Sequence, residues 1–449
     1  MSKKSIAIVG AGITGLSAAW ALKKSGGHAD IFERKGEPGG AIKTVQNSMW
    51  QLEYGPNTLL LKQKEVKEMI DAVGLKGDML TANPGAKKRY IIKNGKPEPL
   101  PYSVLSAVKT PLFSPGGKLR IAMEPFIFKS RNRDQSVAEF VKRRLGPEIL
   151  DYAINPFVAG IFANNPEDLS LQHAFPVMDS LEQEYGSLIG GAIAKYFRKK
   201  NPGKIPSSLV SFKNGIQQLP VALAKETGPC YFNHDVAKIG KGEGGWYITS
   251  QMGVHGPYKQ VVVNVPVYKW NRDFLPVTGQ QLDQLQAIEY PPLSIMLLGY
   301  RKEDVEHPLD GFGFLVPEKE KRSILGALFS STLFEGRTPE GHHLLTVFAG
   351  GGRSPDVARM ESEKLLHIVQ KELRELLGVT AEPVFKDHVF WPKSIPGYHM
   401  GYDKILSVLD EIESENPGLY LAGNFRNGIS VPDCISNGIQ LGERLAKRS

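Results

Sequence analysis

The chain has 449 residues, enough for two or three packed domains, and its 41% apolar and 23% charged content is typical of a folded globular protein. The net charge of +8 favours anionic partners without by itself indicating nucleic acid, and two cysteines are too few for a disulfide framework or a cysteine-based zinc site. No run of 18 uncharged apolar residues is present, and glycines interrupt the first apolar stretch, which argues against a signal peptide; we expect a cytosolic protein.

The first forty residues have the pattern of a dinucleotide-binding unit. A β-branched strand at 5–9 runs into Gly10-Ala11-Gly12-Ile13-Thr14-Gly15, and a helix follows over 16–24. In this turn the first glycine permits the bend, the second admits a pyrophosphate, and the third lets helix and strand pack closely. A second strand at 29–32 ends in Glu33, which is placed to bind a ribose hydroxyl. The pattern predicts a dinucleotide site, with a ligand-free glycine turn as the alternative.

The residues that follow favour FAD over NAD. Six residues after Glu33 come Gly39-Gly40-Ala41, and then Thr44. An acid, a Gly-Gly pair and a threonine at this spacing resemble the signature of the two-dinucleotide-binding flavoproteins, which include amine oxidases and carotene desaturases. The resemblance implies FAD. Cys434 lacks the surroundings of the cysteine that some amine oxidases bond to flavin, so we expect the FAD to be bound non-covalently and Cys434 to be a buried small residue.

The end of the chain is expected to return to the same cofactor. Residues 417–424 contain a turn, a strand and the pair Gly423-Asn424, and Pro432 suits the first turn of a final helix. This segment can also be read simply as the last strand and helix of a sheet, but it matches the closing motif of the flavoprotein family. A strand at 233–236 is expected to cover the adenine. The further cofactor contacts implied by the resemblance are Arg34, Gly55, Pro56, Asn57, Thr58, Val236, Trp391, Ile429 and Val431.

Six segments, taken in chain order, resemble the protoporphyrinogen oxidase family. They are Leu52–Thr58, Asn155–Ala163, Ser187–Gly191, Gly311–Pro317, Trp391–Pro396 and Val431–Ile435. Asn155 replaces the usual acid, and Gly397 stands where the family usually has glutamine. The resemblance implies a six-electron, FAD-dependent oxidation of protoporphyrinogen IX to protoporphyrin IX, the penultimate step of haem biosynthesis, with O2 as acceptor and three H2O2 released. A quinone stays open as an alternative acceptor.

The same resemblance implies a substrate site. Arg89 aligns with the arginine that binds a propionate, although a solvated strand arginine is the alternative. Leu315, Leu328 and Phe348 match positions that sandwich the macrocycle, and they can equally be sheet-core residues. Gly160 is expected to pass close to the ring, where a side chain does not fit. No Ser-His-Asp, H-E-x-x-H or CxxC arrangement occurs, so we predict no metal site and name no catalytic acid or base.

The predicted architecture is α/β, with a Rossmann-like FAD-binding domain, a mixed-sheet substrate domain and a helical membrane-docking insertion. The segments are FAD-binding 1–88, helical insertion 89–204, FAD-binding 205–269, substrate-binding 270–410 and FAD-binding 411–449. Within them the sequence predicts a two-residue turn at Asn94-Gly95, a hairpin and a return strand at 244–249 and 260–266, and a helix over 364–377 with the apolar face Leu365, Val369, Leu373 and Leu376. Basic clusters in the insertion include Arg131/Arg133, Lys142-Arg143-Arg144 and Lys195/Arg198-Lys199-Lys200. A solvated basic face is the alternative, but the family's insertion sits on membranes, which implies peripheral docking on the inner face of the cell membrane.

Other functions stay open at this point. A flavin oxidase for amines or polyenes is the nearest enzymatic rival, although the cysteine context of many amine oxidases is absent. A coproporphyrinogen III oxidase performs the same chemistry on a tetra-acid; Asn57, where that group tends to carry aspartate, favours the protoporphyrinogen branch. A non-catalytic scaffold like the GDP-dissociation inhibitors is expected to lack both the Gly-Gly pair and the C-terminal motif. Nucleic acid binding is not expected, and a homodimer stays open.

Overall fold

The computed structural model describes residues 4–130, 132–197 and 204–447. Its strands are β1 Lys4–Val9, β2 Ala29–Phe32, β3 Thr44–Asn47, β4 Trp50–Glu53, β5 Leu59–Gln63, β6 Met79–Thr81, β7 Lys88–Lys93, β8 Lys96–Pro99, β9 Lys204–Phe212, β10 Cys230–Tyr231, β11 Val236–Gly242, β12 Gly245–Ser250, β13 Gly253–Val263, β14 Leu293–Arg301, β15 Gly311–Leu315, β16 Ile324–Phe329, β17 His342–Gly350, β18 Phe385–Trp391 and β19 Leu419–Leu421.

The α-helices are α1 Ile13–Lys24, α2 Lys64–Ala72, α3 Val104–Lys109, α4 Pro115–Ala122, α5 Val137–Arg144, α6 Pro147–Ile149, α7 Asn155–Phe162, α8 Leu171–Ala174, α9 Pro176–Tyr185, α10 Leu188–Phe197, α11 Gln218–Thr227, α12 Gly279–Gln286, α13 Ser330–Leu333, α14 Pro355–Ala358, α15 Ser362–Leu377, α16 Tyr402–Glu415 and α17 Val431–Ala446. A π-helical turn at Leu150–Ile154 leads into α7.

The first sheet has the strand order β10-β2-β1-β13-β12-β11, with β19 also paired to β13. Strand β1 is parallel to both β2 and β13, and its residues Ile6 to Val9 are buried. One face packs against α1, α11 and α17, and the other packs against α12 and α16, so the short β-branched run is apolar on both faces. The predicted Rossmann-like unit and the predicted hairpin at β12–β13 are confirmed.

The strand expected at 233–236 is wrong in its extent. Strand β11 begins only at Val236, and Asn233 has a φ of 57°, a left-handed conformation that belongs to a turn and not to a strand. The main-chain N–H of His234 donates to the Glu33 carbonyl at 2.8 Å. The turn therefore brings Val236 close to the end of β2. Val236 is the first residue of its strand and not, as expected, the last.

The second sheet has the order β18-β14-β17-β16-β15-β7-β8, in which β15 and β7 are parallel and the other pairs antiparallel. Helix α15 covers one face with the predicted apolar stripe Leu365, Val369, Leu373 and Leu376, all buried. The opposite face packs against helix α7 and strand β4. The predicted mixed-sheet domain is thus present.

The hairpin β7–β8 belongs to this second sheet, although the sequence boundary at 89 assigned it to the helical insertion. Its Asn94-Gly95 turn has φ values of 52° and 72°, as the predicted two-residue turn requires. Tyr90 and Ile92 alternate into the core under α15, so the apolar pattern of the strand completes the sheet core. Helical structure in this segment begins at Val104.

Helices α3 to α10 form the insertion around their own apolar core, and a buried ionic network holds them together. The Arg144 side chain is fully buried and donates to Glu124 at 2.8 Å and to Glu182 at 2.7 Å. Glu124 also accepts hydrogen bonds from the Ser187 hydroxyl and from the first N–H groups of α10. One arginine therefore ties α5, α9 and α10 to the loop before residue 130.

We expect Arg144→Ala to lower the free energy of unfolding of this segment by about 3–5 kcal/mol, because it leaves the buried Glu124 carboxylate without its cation and Glu182 with Arg143 alone. Urea unfolding followed by circular dichroism measures the change. Lys142→Ala, at an exposed position of the same helix, is the control and should change the stability by under about 0.5 kcal/mol. Equal effects of the two substitutions would contradict the role of the network.

Candidate functional site

The glycine loop lies at the carboxyl end of β1. The Gly10 N–H donates to the Phe32 carbonyl at 2.7 Å, and a Cβ on Gly10, whose φ is +103°, would lie 2.4 Å from the Asn264 carbonyl oxygen. Helix α1 starts at Ile13, and its N-cap Gly12 has no side chain to bond the first-turn N–H groups. Those groups and the positive end of the helix dipole suit a pyrophosphate.

Glu33 ties the glycine loop to the end of β2. Its carboxylate is 8% exposed and accepts the N–H of Ala11 at 2.8 Å and that of Lys35 at 2.9 Å. A carboxylate offers about four acceptor positions, so two main-chain bonds leave capacity for ribose hydroxyls. The ribose contact stays a prediction, and Glu33 has in addition a structural role that the sequence did not indicate. Arg34 beside it is exposed.

Asn264 is a site residue that sequence analysis missed. Its side-chain amide donates to the Gly10 carbonyl at 3.2 Å and packs against Gly12 and Gly15. Its main-chain N–H donates to Val9, which registers the end of β13 against β1. A signal was available, because Asn264 interrupts the apolar run 261–265 at the carboxyl end of a strand, where parallel sheets place their ligand-binding residues.

The predicted flavin segments from the two halves of the chain meet at Tyr54. Gly55 packs so closely on the Ala41 carbonyl that a Cβ would be 2.0 Å from its oxygen. The Trp391 indole N–H donates to the Tyr54 carbonyl at 2.8 Å, and the Tyr54 hydroxyl donates to the Asp387 carboxylate at 2.5 Å. Burial and the neighbouring Asp387 raise the pKa of Tyr54 to about 12. The structure thus brings Gly39–Ala41, Gly55–Thr58 and Trp391 together.

Glu53 forms a buried junction behind these segments. Its carboxylate accepts from the Thr44 hydroxyl at 2.7 Å and from the Ile216 N–H at 3.0 Å, and it lies 3.4 Å from the Arg337 guanidinium. Burial raises the pKa of Glu53 to about 7 although Arg337 opposes the shift. A cavity of about 10 Å³, close to the size of one water, lies between this pair and Asn57.

The C-terminal segment packs near the glycine loop, beside Asn264. Gly423 lies against Asn264, since a Cβ on Gly423 would be 3.6 Å from the Asn264 side-chain oxygen. Helix α17 begins at Val431 with Pro432 in its first turn, as predicted, and the Ser430 hydroxyl caps it. Cys434 is 5% exposed and burial raises the pKa of its thiol to about 12, which agrees with an inert residue.

The predicted substrate residues share one face of the second sheet. Leu315 pairs with Gly326 and Gly326 with Phe348, so these three point the same way. Leu328 lies two residues from Gly326, and Arg89 pairs with Gly313, two residues from Leu315. This face, opposite α15, is called the chamber face below. Its three apolar side chains are only half-buried.

Two further positions complete the chamber face. Gly160 of α7 lies over it, because a Cβ there would be 2.8 Å from the Leu315 side chain. Arg89 is exposed at the edge and its guanidinium lies 5.2 Å from the Phe312 ring centre. Asn155, where an acid was expected, accepts from Arg353 at 2.8 Å and from the Glu318 N–H at 3.0 Å. Its amide therefore fixes α7 to the loop after β15.

The residues present fit FAD. The uncapped start of α1, the close glycine contacts and the buried Glu33 acceptor match the pyrophosphate and ribose of a dinucleotide, and the Gly39–Ala41, Gly55–Thr58 and Gly423 segments meet beyond them. The profile of the flavin containing amine oxidoreductases matches residues 13–445. The chain belongs to this family: it is a flavin oxidoreductase and its cofactor is FAD.

Within that class the chain is similar to porphyrinogen-oxidising enzymes. Protoporphyrinogen oxidase 2 of Arabidopsis thaliana is 35% identical over 98% of this chain and 93% of its own length. Coproporphyrinogen III oxidase of Staphylococcus aureus is 29% identical over 97% of both chains. A crystal structure assigned as a protoporphyrinogen oxidase from Exiguobacterium sp. 255-15 has the same fold, with a TM-score of 0.83, 22% identity and full coverage of both chains.

We expect the free energy of unfolding to fall as the pH rises from about 4.5 to about 7, because the folded protein holds the Glu53 proton more tightly than the unfolded chain does. Glu53→Gln should remove that contribution, which is of order 3 kcal/mol. Urea unfolding at pH 5 and pH 7.5 measures it.

The exposed Glu68→Gln is the matched control and should keep the pH dependence of the unchanged protein. The assignment is wrong if Glu53→Gln keeps that same pH dependence.

Proposed function

We propose that the chain oxidises protoporphyrinogen IX to protoporphyrin IX with O2 as electron acceptor. The observation that carries the proposal is the chamber face: Leu315, Leu328 and Phe348 form one half-buried apolar surface with the cation of Arg89 at its edge. A large apolar macrocycle with carboxylate arms suits such a surface. The names of the similar enzymes from Arabidopsis and Staphylococcus support the same class of substrate.

The chemistry asks the chain to position its substrate more than to supply reactive groups. When bound, FAD would supply the redox chemistry: in each of three transfers the porphyrinogen would give up one hydride, which carries two electrons, and one proton, and three O2 would take up these electrons and hydrogens as three H2O2. Gly160 packs directly on Leu315 and adds no side chain of its own beside the ring, and the apolar side chains keep water from the reacting carbon. Arg89 orients a propionate by a charge-assisted hydrogen bond.

The choice of protoporphyrinogen over coproporphyrinogen rests on sequence. Two plant protoporphyrinogen oxidases reach 35% and 33% identity, against 29% and 27% for two bacterial coproporphyrinogen III oxidases, while four further plant protoporphyrinogen oxidases reach 29–30%. Asn57 departs from the aspartate typical of the second group, and its amide donates to the Gly55 carbonyl at 3.1 Å within the turn. These two features support the protoporphyrinogen branch.

The test is a parallel aerobic assay. The purified yellow protein receives protoporphyrinogen IX or coproporphyrinogen III, and porphyrin fluorescence and H2O2 are followed together. Faster formation of protoporphyrin, with about three H2O2 per porphyrin, is the expected result. Faster turnover of coproporphyrinogen would assign the chain to the coproporphyrinogen III oxidase branch. Fluorescence that rises only after a quinone is added would identify the quinone, and not O2, as the electron acceptor. No porphyrin from either compound contradicts the proposal and leaves amines and polyenes as substrates.

We expect Arg89→Ala to raise the KM for protoporphyrinogen about tenfold, because one charge-assisted hydrogen bond to a propionate is lost. The flavin absorbance per protein should stay unchanged. Lys87→Ala, an exposed cation two residues away, is the control and should leave the KM within about twofold. An unchanged KM in Arg89→Ala removes this residue from the substrate site.

The helical insertion is proposed to dock on the inner face of the cell membrane. Large apolar side chains are exposed along it, including Tyr102, Leu105, Leu119, Phe126, Phe128, Ile193, Tyr196 and Phe197. Lys109, Lys129, Arg133 and Lys142 are exposed among them, a combination that favours anionic lipid. Arg131 and the basic residues 198–200 lie outside the described part of the chain. Among the described residues, no helix is long and apolar enough to cross a bilayer.

We expect the double substitution Phe126→Ser/Phe128→Ser to weaken binding to vesicles of mixed neutral and anionic phospholipid at least tenfold, because two side chains that are 77% and 92% exposed lose their apolar contact with lipid. Co-sedimentation with the vesicles measures binding. Met252→Ser/Val254→Ser, at two positions that are each 65% exposed at the β12–β13 hairpin of the first sheet, is the control. Equal binding of the unchanged protein and both variants contradicts docking through the insertion.

A further inference from the structure

A single tyrosine lies between the insertion and the C-terminal flavin segment. Residues 423–429, called the closing loop, run from the end of β19 to the cap of α17. Tyr398 is 3% exposed, and its hydroxyl makes two hydrogen bonds to this loop: it donates to the Asn424 carbonyl at 2.7 Å and accepts from the Gly428 N–H at 2.9 Å. The two bonds span the loop from near its first residue to near its last.

The other side of Tyr398 faces the helical insertion. Its main-chain carbonyl accepts the Ser170 N–H at 2.8 Å, and its ring packs edge-on to Phe162, with ring centres 6.5 Å apart. Phe162 is the last residue of α7, the helix that carries Gly160 over the chamber face. Tyr398 therefore contacts the substrate helix with its ring and the closing loop with its hydroxyl.

The closing loop has further contacts along its length, among them hydrogen bonds from the Asn437 side chain to the Arg426 and Asn427 carbonyls. Gly423 lies against Asn264, and Ile429 packs against both the first-sheet core and the insertion core. Tyr402 donates to the Phe425 carbonyl and Arg426 pairs with α16, so these two bonds fix the middle of the loop. Asn424 and Gly428, at either end, are both held by the Tyr398 hydroxyl.

We propose that Tyr398 is a positioning residue that fixes the closing loop against FAD and couples the loop to helix α7. Its hydroxyl keeps the main chain at Asn424 and Gly428 in one arrangement, and a displacement of α7 moves its ring. The inference rests on the cofactor and not on the proposed substrate, so it stands or falls independently of the porphyrin assay.

The first test is Tyr398→Phe in the FAD-loaded full-length protein. Loss of both hydrogen bonds should accelerate FAD release about tenfold on dilution, equivalent to about 1.4 kcal/mol, as followed by the rise in flavin fluorescence. The visible spectrum and midpoint potential of the bound flavin should shift as well, which a purely structural hydroxyl would not cause. The proposal is overturned if this variant has the same rate of FAD release, visible spectrum and flavin midpoint potential as the unchanged protein.

The matched control is Tyr300→Phe. Tyr300 is also fully buried, but it lies in the core under α15, and its hydroxyl has no hydrogen-bond partner among the described residues. This variant should release FAD at the wild-type rate with an unchanged spectrum. The proposal is also overturned if both tyrosine variants accelerate release equally, because the effect is then general loosening.

Phe162→Leu tests the coupling and needs no change at Tyr398. It keeps both hydroxyl bonds but loosens the ring contact from α7, so FAD release should accelerate, by less than in Tyr398→Phe. In the double variant, Phe162→Leu should cause no further acceleration of FAD release, because the two hydroxyl hydrogen bonds that transmit its effect to the closing loop are already lost. Unchanged release in Phe162→Leu contradicts the coupling even if Tyr398→Phe does not fold, and strictly additive effects in the double variant contradict it as well.

Discussion

Strand β1 lies between β2 and β13, all three run in the same direction, and the rest of the site depends on where they end. Parallel strands place their carboxyl ends on one edge of the sheet, which brings Gly10, Glu33 and Asn264 side by side from positions far apart in the sequence. The contacts there are close: the Gly10 main chain packs directly on Asn264, and Glu33 accepts the Ala11 N–H. A dinucleotide placed on this edge meets main-chain donors and few side chains.

The second sheet contributes through the difference between its two faces. Helix α15 covers one face with a complete apolar stripe, so the other is left to the ligand site. The chamber face is apolar but half-buried, with Gly160 above it and Arg89 at its edge, while Trp391 and Asp387 of the edge strand β18 bond to Tyr54 of the flavin segments. The flavin segments and the second sheet are thus joined by one bond from a side chain to the main chain and one between two side chains. Flavin and substrate need such a fixed relation for hydride transfer.

What the sequence predicted well is local in the chain. The strand, glycine turn, helix and acid of residues 5–33 follow from short-range patterns, and so do the Asn94-Gly95 turn and the stripe of α15. The assignment of β7 to the second sheet was missed, because its pairing with β15 joins residues more than 200 positions apart. The bonds of Tyr398 to the closing loop span 26 and 30 residues and the pair of Glu53 with Arg337 spans 284, so short-range patterns do not show them either. Polar residues in apolar surroundings, such as Asn264, were the one available signal for contacts of this kind.

Under the proposed function, a porphyrinogen on the chamber face gives hydride directly to the FAD held at the edge of the first sheet. An anaerobic titration tests this transfer, since without O2 each transfer leaves its flavin reduced. Protoporphyrinogen IX is added in steps to the yellow protein, and the flavin absorbance and porphyrin absorbance are recorded together. We expect bleaching of about three flavins for each porphyrin formed, because the six electrons leave in pairs. Flavin that stays oxidised while an excess of the porphyrinogen is present would contradict it.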